Sequence, residues 1–179
     1  LRVVDACAGA GGKSLQLACM MENKGAIIAM DVEEWKLEEL KKRARRNGIH
    51  NIETRLITGK VIKRLRASAD VVLLDVPCSG LGVLRRNPDA KWKLQAETVE
   101  ELQKKQAEIL QSYASMVKEG GTLVYATCSI LPSENEKQVA GFLEANPQFK
   151  LEEEKWSDLT SGMMDGFYMA RMVRQPQIP

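Results

Sequence analysis

The sequence has one histidine, His50, and four cysteines at positions 7, 19, 78 and 128 with no paired spacing. There is no C-x-x-C pair, so a zinc site built from cysteine and histidine is not expected, nor any other resident metal. The unpaired cysteines and the lack of a secretory leader argue against a disulfide framework and for a reducing, cytoplasmic setting. No apolar run approaches the roughly 20 residues that a membrane-spanning helix needs. Internal repeats and low-complexity tracts are also lacking, and nothing marks an oligomeric state. Net charge is only +2, which by itself selects no partner.

What is present is ordinary for a globular chain: 179 residues, 44% hydrophobic and 28% charged. That length fits one domain, residues 1–179, with a sizeable core. The chain opens on Leu1 and runs straight into an apolar stretch, so we expect a fragment of a longer protein. Charge is unevenly spread. Lys41 to Arg66 holds ten basic residues and one acid, Glu53, and a second basic group, "RRNPDAKWK", holds Arg85, Arg86, Lys91 and Lys93. The first group reads equally well as solvated helix faces or as a surface for a phosphate backbone.

Strand-like and helix-like patterns alternate. "LRVVD" ends at Asp5 and leads through the turn "ACAGAGGKS" into an apolar helix reaching about Met21, which is expected to bury Cys19. "GAIIAMD" ends at Asp31. "EEWKLEELKKRARRNG" has acids in its first turn, bases in its last and Asn47-Gly48 as its stop, which predicts a helix. "IETRLI" and "DVVLLD" are strands, the second buried on both faces. A long helix is predicted from about Gln95 to Val117, stopped by "KEGG", before the strand "TLVYAT". Ser133 and Glu136 have capping-box spacing for a helix that ends before Asn146-Pro147. "FKLEE" and "GFYMARMV" are two further candidate strands.

Such alternation implies an α/β protein with a mostly parallel, doubly wound sheet. Ligands bind such sheets beyond the carboxyl ends of the strands, where the strand order reverses. Asp5, Asp31, Asp75, Cys78 and Cys128 all stand at or just past strand ends, and should share one rim. The glycine turn between strand and helix, with Asp31 nineteen residues after Gly12, suits a nucleoside cofactor whose ribose hydroxyls an acid can bind. Its spacing, G-x-G-G, differs from the dinucleotide G-x-G-x-x-G. That disfavours a dehydrogenase and favours S-adenosyl-L-methionine.

Two thiols and an acid beside a methyl donor suggest one chemistry. C5 of cytosine is a poor nucleophile until a thiolate adds to C6, after which C5 becomes enamine-like. An acid at N3 would disperse the developing charge. Four segments, "DACAGAGGKS", "DVPCSGLGVLRRNPD", "YATCSILPSENE" and "DGFYMARMVR", together resemble the successive motifs of the RNA cytosine-5 methyltransferases of the Sun/Fmu-like group, the small-subunit ribosomal RNA methyltransferase B type. The resemblance covers nearly the whole chain.

It implies a Rossmann-like class I S-adenosylmethionine-dependent methyltransferase fold with an antiparallel C-terminal strand. It further implies that Cys128 is the nucleophile, that Cys78 assists product release and that Asp75 contacts the target base. Cys7, Ala8, Gly9, Ala10, Gly11, Gly12, Lys13, Asp31 and Asp75 would border the cofactor. The expected partner is RNA, ribosomal rather than transfer RNA, with Arg85, Arg86, Lys91 and Lys93 as candidate backbone contacts.

Three departures stand out. Ala10 replaces a usual proline. Lys60 falls in the best register where the family places an acid near the adenine amino group, and an ammonium cannot accept a hydrogen bond. Either apolar contacts such as Val32 then hold the adenine, or cofactor binding is weak, which leaves a non-catalytic RNA-binding or scaffold domain as the alternative. The family's upstream segment, which borders the cofactor pocket and helps bind RNA, is not in this chain.

Overall fold

The computed structural model describes residues 1–157, 162 and 164–176. Among the described residues seven strands form one sheet: β1 (Arg2–Asp5), β2 (Ala26–Asp31), β3 (Ile52–Leu56), β4 (Ala69–Asp75), β5 (Val117–Thr127), β6 (Phe149–Trp156) and β7 (Tyr168–Arg174). Their order is β3-β2-β1-β4-β5-β7-β6, with β1 to β5 parallel and β7 antiparallel to both its neighbours. The order reverses between β1 and β4. That is where a parallel sheet opens a crevice at its carboxyl edge.

The helices are α1 (Gly12–Met20), α2 (Glu34–Arg46), α3 (Gly59–Arg64), α4 (Ala90–Lys93), α5 (Ala96–Tyr113) and α6 (Glu136–Ala145). Leu37, Leu40 and Ala44 form the buried stripe of α2 at helical spacing. Leu40 and Ala44 join Val3, Ile27 and Ala29 in a core on one face of the sheet. A larger core on the other face gathers Val72, Leu74, Leu110, Leu123 and Phe142. Among the described residues, no helix is long and apolar enough to cross a membrane.

Several local expectations need correction. The long helix ends at Tyr113, because the chain tightens into a 3₁₀ turn at Ala114–Met116 that buries Ala114 and Met116. The "KEGG" segment is therefore no helix stop. Gly120 (φ +70) and Gly121 lie within β5, where the pairing with β4 shifts register. A residue at φ > 0 is what an irregular strand of this kind accepts from glycine. Cys19 is exposed, since α1 turns Ser14, Leu15 and Ala18 inward and leaves position 19 outside.

The Ser133–Glu136 capping box does not form. Asn135 is the N-cap residue of α6 without a side-chain cap bond, and Ser133 Oγ instead accepts from Gln103 Nε2 at 2.9 Å. Helix α3 has no counterpart among the patterns visible in the sequence. It is capped by Thr58, whose Oγ1 accepts from the Val61 N–H at 3.3 Å.

Candidate active site

The loop after β1 is stitched to neighbouring strands before it reaches any ligand. Ala6 N–H donates to Leu73 O at 3.0 Å, and Ala8 N–H to Met30 O at 2.9 Å. Gly9 (φ +53) and Gly11 (φ +91) turn it back into α1. A Cβ at Gly11 would lie 2.5 Å from Leu40 Cγ, so only glycine lets loop and α2 approach this closely. Arg43, within the first basic group, donates to Ala10 O at 2.7 Å and braces the same loop from α2. At the end of β2, Asp31 accepts from Gly9 N–H and from Glu33 N–H, each at 2.9 Å. A carboxylate has about four acceptor sites, so two remain for ribose hydroxyls.

Beyond these strand ends opens a cleft of about 310 Å³. Of the predicted cofactor set, Cys7, Gly9, Asp31 and Asp75 line it; Ala8, Ala10, Gly11, Gly12 and Lys13 shape the loop without lining it. Val32, Ile57, Val76 and Pro77 give it apolar walls. Sequence reasoning missed the far wall, Lys105, Ile109 and Tyr113, whose spacing of four residues puts them on one face of α5. Lys60 is exposed in the first turn of α3 and does not line the cleft, while Ile57 does. Lys60 is therefore not part of the cleft, whose charged lining is Asp31, Glu33, Lys36, Asp75 and Lys105. A larger groove of about 530 Å³, lined by Arg2, His50 and Arg64 among others, touches none of these strand-end residues.

Burial pushes the Cys7 thiol up to about 12, Asp5 adding to the effect, so Cys7 stays protonated. Burial also raises the Asp5 carboxyl to about 6, against the hydroxyl of Ser14 that donates to it at 2.6 Å. Its Oδ1 is buried with no partner among the described residues. The apolar shelf of Val32 and Ile57 and the half-used Asp31 carboxylate fit S-adenosylmethionine's base and ribose.

The two thiols follow adjacent parallel strands. Asp75 pairs with Ala126 across β4 and β5, and the ladder ends with Val76 N–H donating to Ala126 O at 3.1 Å. Just past it, Cys78 Sγ and Cys128 Sγ stand 3.3 Å apart, both as free half-buried thiols. The hydrogen bond from Cys78 lowers the Cys128 thiol to about 7, while that same contact and burial push Cys78 upward. Asp75 Oδ2 takes the Lys13 ammonium at 2.5 Å beside them. Cys128 should therefore react as a thiolate and Cys78 remain a donor. Alkylation of Cys128 by iodoacetamide, followed by peptide mass mapping, is expected to rise about tenfold per pH unit up to about 7 and then level off. Cys7 should stay unmodified throughout.

The loop after Cys78 is locked to the same site. Gly82 N–H donates to Cys128 O at 2.9 Å, and Gly82 O accepts from Gly166 N–H at 2.8 Å. A Cβ at Gly82 would sit 2.0 Å from Gly166 O and 2.8 Å from Cys128 O. Gly82→Ala must push these neighbouring backbone segments away, with an expected loss of about 1–3 kcal/mol or more in denaturant unfolding. Arg86 Nε meets Asp165 Oδ2 at 2.5 Å, and Arg85 Nη1 donates to Gly162 O at 2.5 Å. Both arginines thus brace this loop against the segment leading into β7. Lys91 lies 4.8 Å over the exposed Trp92 ring, and Lys93 reaches Asp89 at 3.6 Å.

A glycine loop after β1, a carboxylate at the end of β2 and paired thiols past β4 and β5, all at the carboxyl edge of this sheet, define a Rossmann-like methyltransferase of the S-adenosylmethionine-dependent class. The family profile for 16S rRNA methyltransferase RsmB/F matches residues 2–176. The chain belongs to that family. It is 37% identical to ribosomal RNA small subunit methyltransferase B of Vibrio vulnificus and 35% to that of Klebsiella pneumoniae, covering 97% of this chain and 42% of each relative. It also superposes on the crystal structure of NSun6 from Pyrococcus horikoshii with SFG, at a TM-score of 0.87 and 26% identity. That match covers 98% of this chain and 48% of the other. The chain spans less than half the length of the curated relatives it matches.

Proposed function

We propose that the protein methylates C5 of a cytosine in RNA, ribosomal rather than transfer RNA, through a transient bond between Cys128 and C6 of the base. The observation that carries this reading is the pair of free thiols in contact at 3.3 Å beside Asp75, on the rim of the nucleoside cleft. Relatives named as ribosomal RNA methyltransferases, and one solved with an S-adenosylmethionine analogue, support the substrate and the cofactor. S-adenosyl-L-methionine, when bound, supplies a methyl group on a positively charged sulfur.

The chain's own residues do the rest. Cys7, Gly9 and Asp31 border the donor, with Val32 and Ile57 on its apolar side. The Cys128 thiolate adds its electron pair to C6 and makes C5 nucleophilic. Asp75 faces the ring nitrogen and hands it a proton as negative charge develops there, the carboxylate that results pairing with Lys13. After C5 has gained its methyl, its proton passes to solvent at the rim, the C5–H pair rebuilds the C5–C6 double bond, the C6–sulfur pair returns to Cys128, and the ring nitrogen gives its proton back to Asp75. Cys78, the protonated partner, assists that release. The target base must be exposed or turned out of any stack to reach the rim. In this reading residues 1–179 are the catalytic domain, working with an upstream RNA-binding region, and Lys91 and Lys93 touch the RNA backbone beside it.

The test uses the full-length protein, small-subunit ribosomal RNA and methyl-labelled S-adenosylmethionine. After digestion to nucleosides, mass spectrometry should find the label in 5-methylcytidine. Label on a ring nitrogen, on ribose or on uridine would refute the proposal.

A further inference from the structure

Glu134 is fully buried between α5 and the two cysteine loops. Its Oε1 accepts from Ser79 N–H at 2.8 Å and from Gln106 Nε2 at 3.0 Å. Its Oε2 accepts from the Ser79 hydroxyl at 2.6 Å and from the Ser129 hydroxyl. The main-chain carbonyl of Glu134 is held in turn by Tyr125 OH at 2.6 Å. Ser79 and Ser129 are the residues directly after Cys78 and Cys128. One carboxylate therefore grips the chain immediately behind each thiol.

This arrangement is costly. A buried carboxylate has to be compensated, and among the described residues Glu134 has no ion-pair partner, only neutral donors. The sheet does not require it, because β4 and β5 are already paired up to Asp75 and Ala126. Past that point the ladder stops, and besides Glu134 the two cysteine loops are joined by Gly82 N–H to Cys128 O at 2.9 Å and by the Ser79–Ser129 hydroxyl contact at 3.1 Å. Gln106 reinforces the same place by donating to Pro77 O at 2.9 Å, just before Cys78.

We infer that Glu134 is a positioning residue that ties the Cys78 and Cys128 loops together and sets the contact between their sulfurs. The inference rests on reading those sulfurs as one reactive pair, and it is independent of which RNA is modified. Cys128 is faced by Cys78 from the neighbouring loop, by Asp75 from β4 and by Lys13 from α1. Of these, the Cys78 hydrogen bond is the one that loosening the loops would remove.

The experiment compares full-length wild type, Glu134→Ala and Glu134→Gln. The readout is the pH profile of Cys128 alkylation by iodoacetamide, with calorimetric titration of S-adenosylmethionine as the check that the cofactor side is intact. In Glu134→Ala the midpoint should move from about 7 towards an ordinary thiol near 8.5, roughly a tenfold slower reaction at pH 7, with cofactor affinity within about twofold. Glu134→Gln should keep the wild-type profile. Its carbonyl still accepts from Ser79 N–H and Gln106, and its amide faces two hydroxyls that can turn to accept.

An unchanged profile in Glu134→Ala overturns the inference. So does a glutamine variant shifted as far as alanine, because charge rather than tethering would then be responsible. Should Glu134→Ala not fold, the double variant Ser79→Ala/Ser129→Ala removes both hydroxyls from the carboxylate, together with their contact to each other and that of Ser129 to Leu131 N–H, and is judged by the same shift. No RNA enters this readout. A shifted profile with no cytosine methylation would remove the proposed function and leave the tether, and the reverse result would do the opposite.

Discussion

Cys128→Ser is expected to lower methylation by at least about 10³-fold while leaving S-adenosylmethionine binding within about twofold. The reason lies in the geometry. A serine hydroxyl at this place still meets Cys78, but it ionises far less readily than a thiol, and the contact at 3.3 Å cannot make up that difference. The cofactor side is spared because neither sulfur is among the described residues lining the cleft around Asp31. Labelled-methyl transfer to RNA and calorimetry on the same preparation separate the two effects. Turnover within about tenfold of wild type would remove Cys128 from the reaction.

Cys78→Ala should behave in the opposite way. Its thiol is held protonated by the neighbouring sulfur and by burial, which suits a group that assists departure rather than attack. Without it the Cys128 thiolate loses its hydrogen-bond donor, yet Lys13 remains nearby and addition to C6 continues. The bond once formed then lacks help in breaking. RNA should accumulate on the protein, visible as a band of reduced mobility in denaturing gels, and multiple turnover should fall by about 10²-fold or more. If Cys78→Ala turns over normally and traps no RNA, the two thiols do not divide the work as proposed.

Much of this site could be read before any coordinates. Alternating strands and helices require parallel order, and parallel order brings Asp5, Asp31, Asp75 and both cysteines to one edge, so their convergence follows from chain order alone. What escaped was whatever depends on packing across the chain. The wall made by Lys105, Ile109 and Tyr113 is invisible until α5 is laid against the cleft. "KEGG" resembles a helix stop, because two glycines mark a helix end and a strand irregularity equally well; the pairing of β5 with β4 decides between them.

Glu134 was hidden for a related reason. "PSENE" offers two acids at the start of a helix, and spacing favours Glu136 as the capping partner of Ser133. The structure sends Glu134 inward to the serines behind the thiols and leaves Glu136 to begin α6. The pairing of Arg85 and Arg86 with Asp165, remote in sequence, is likewise visible only in the fold.

Peptide mapping of the covalent complex trapped by Cys78→Ala tests the central claim most directly. After nuclease and protease digestion, a cytidine-derived mass is expected on the peptide that contains Cys128. The same mass on another residue, or 5-methylcytidine formed at full rate with no residue ever carrying the base, would contradict it.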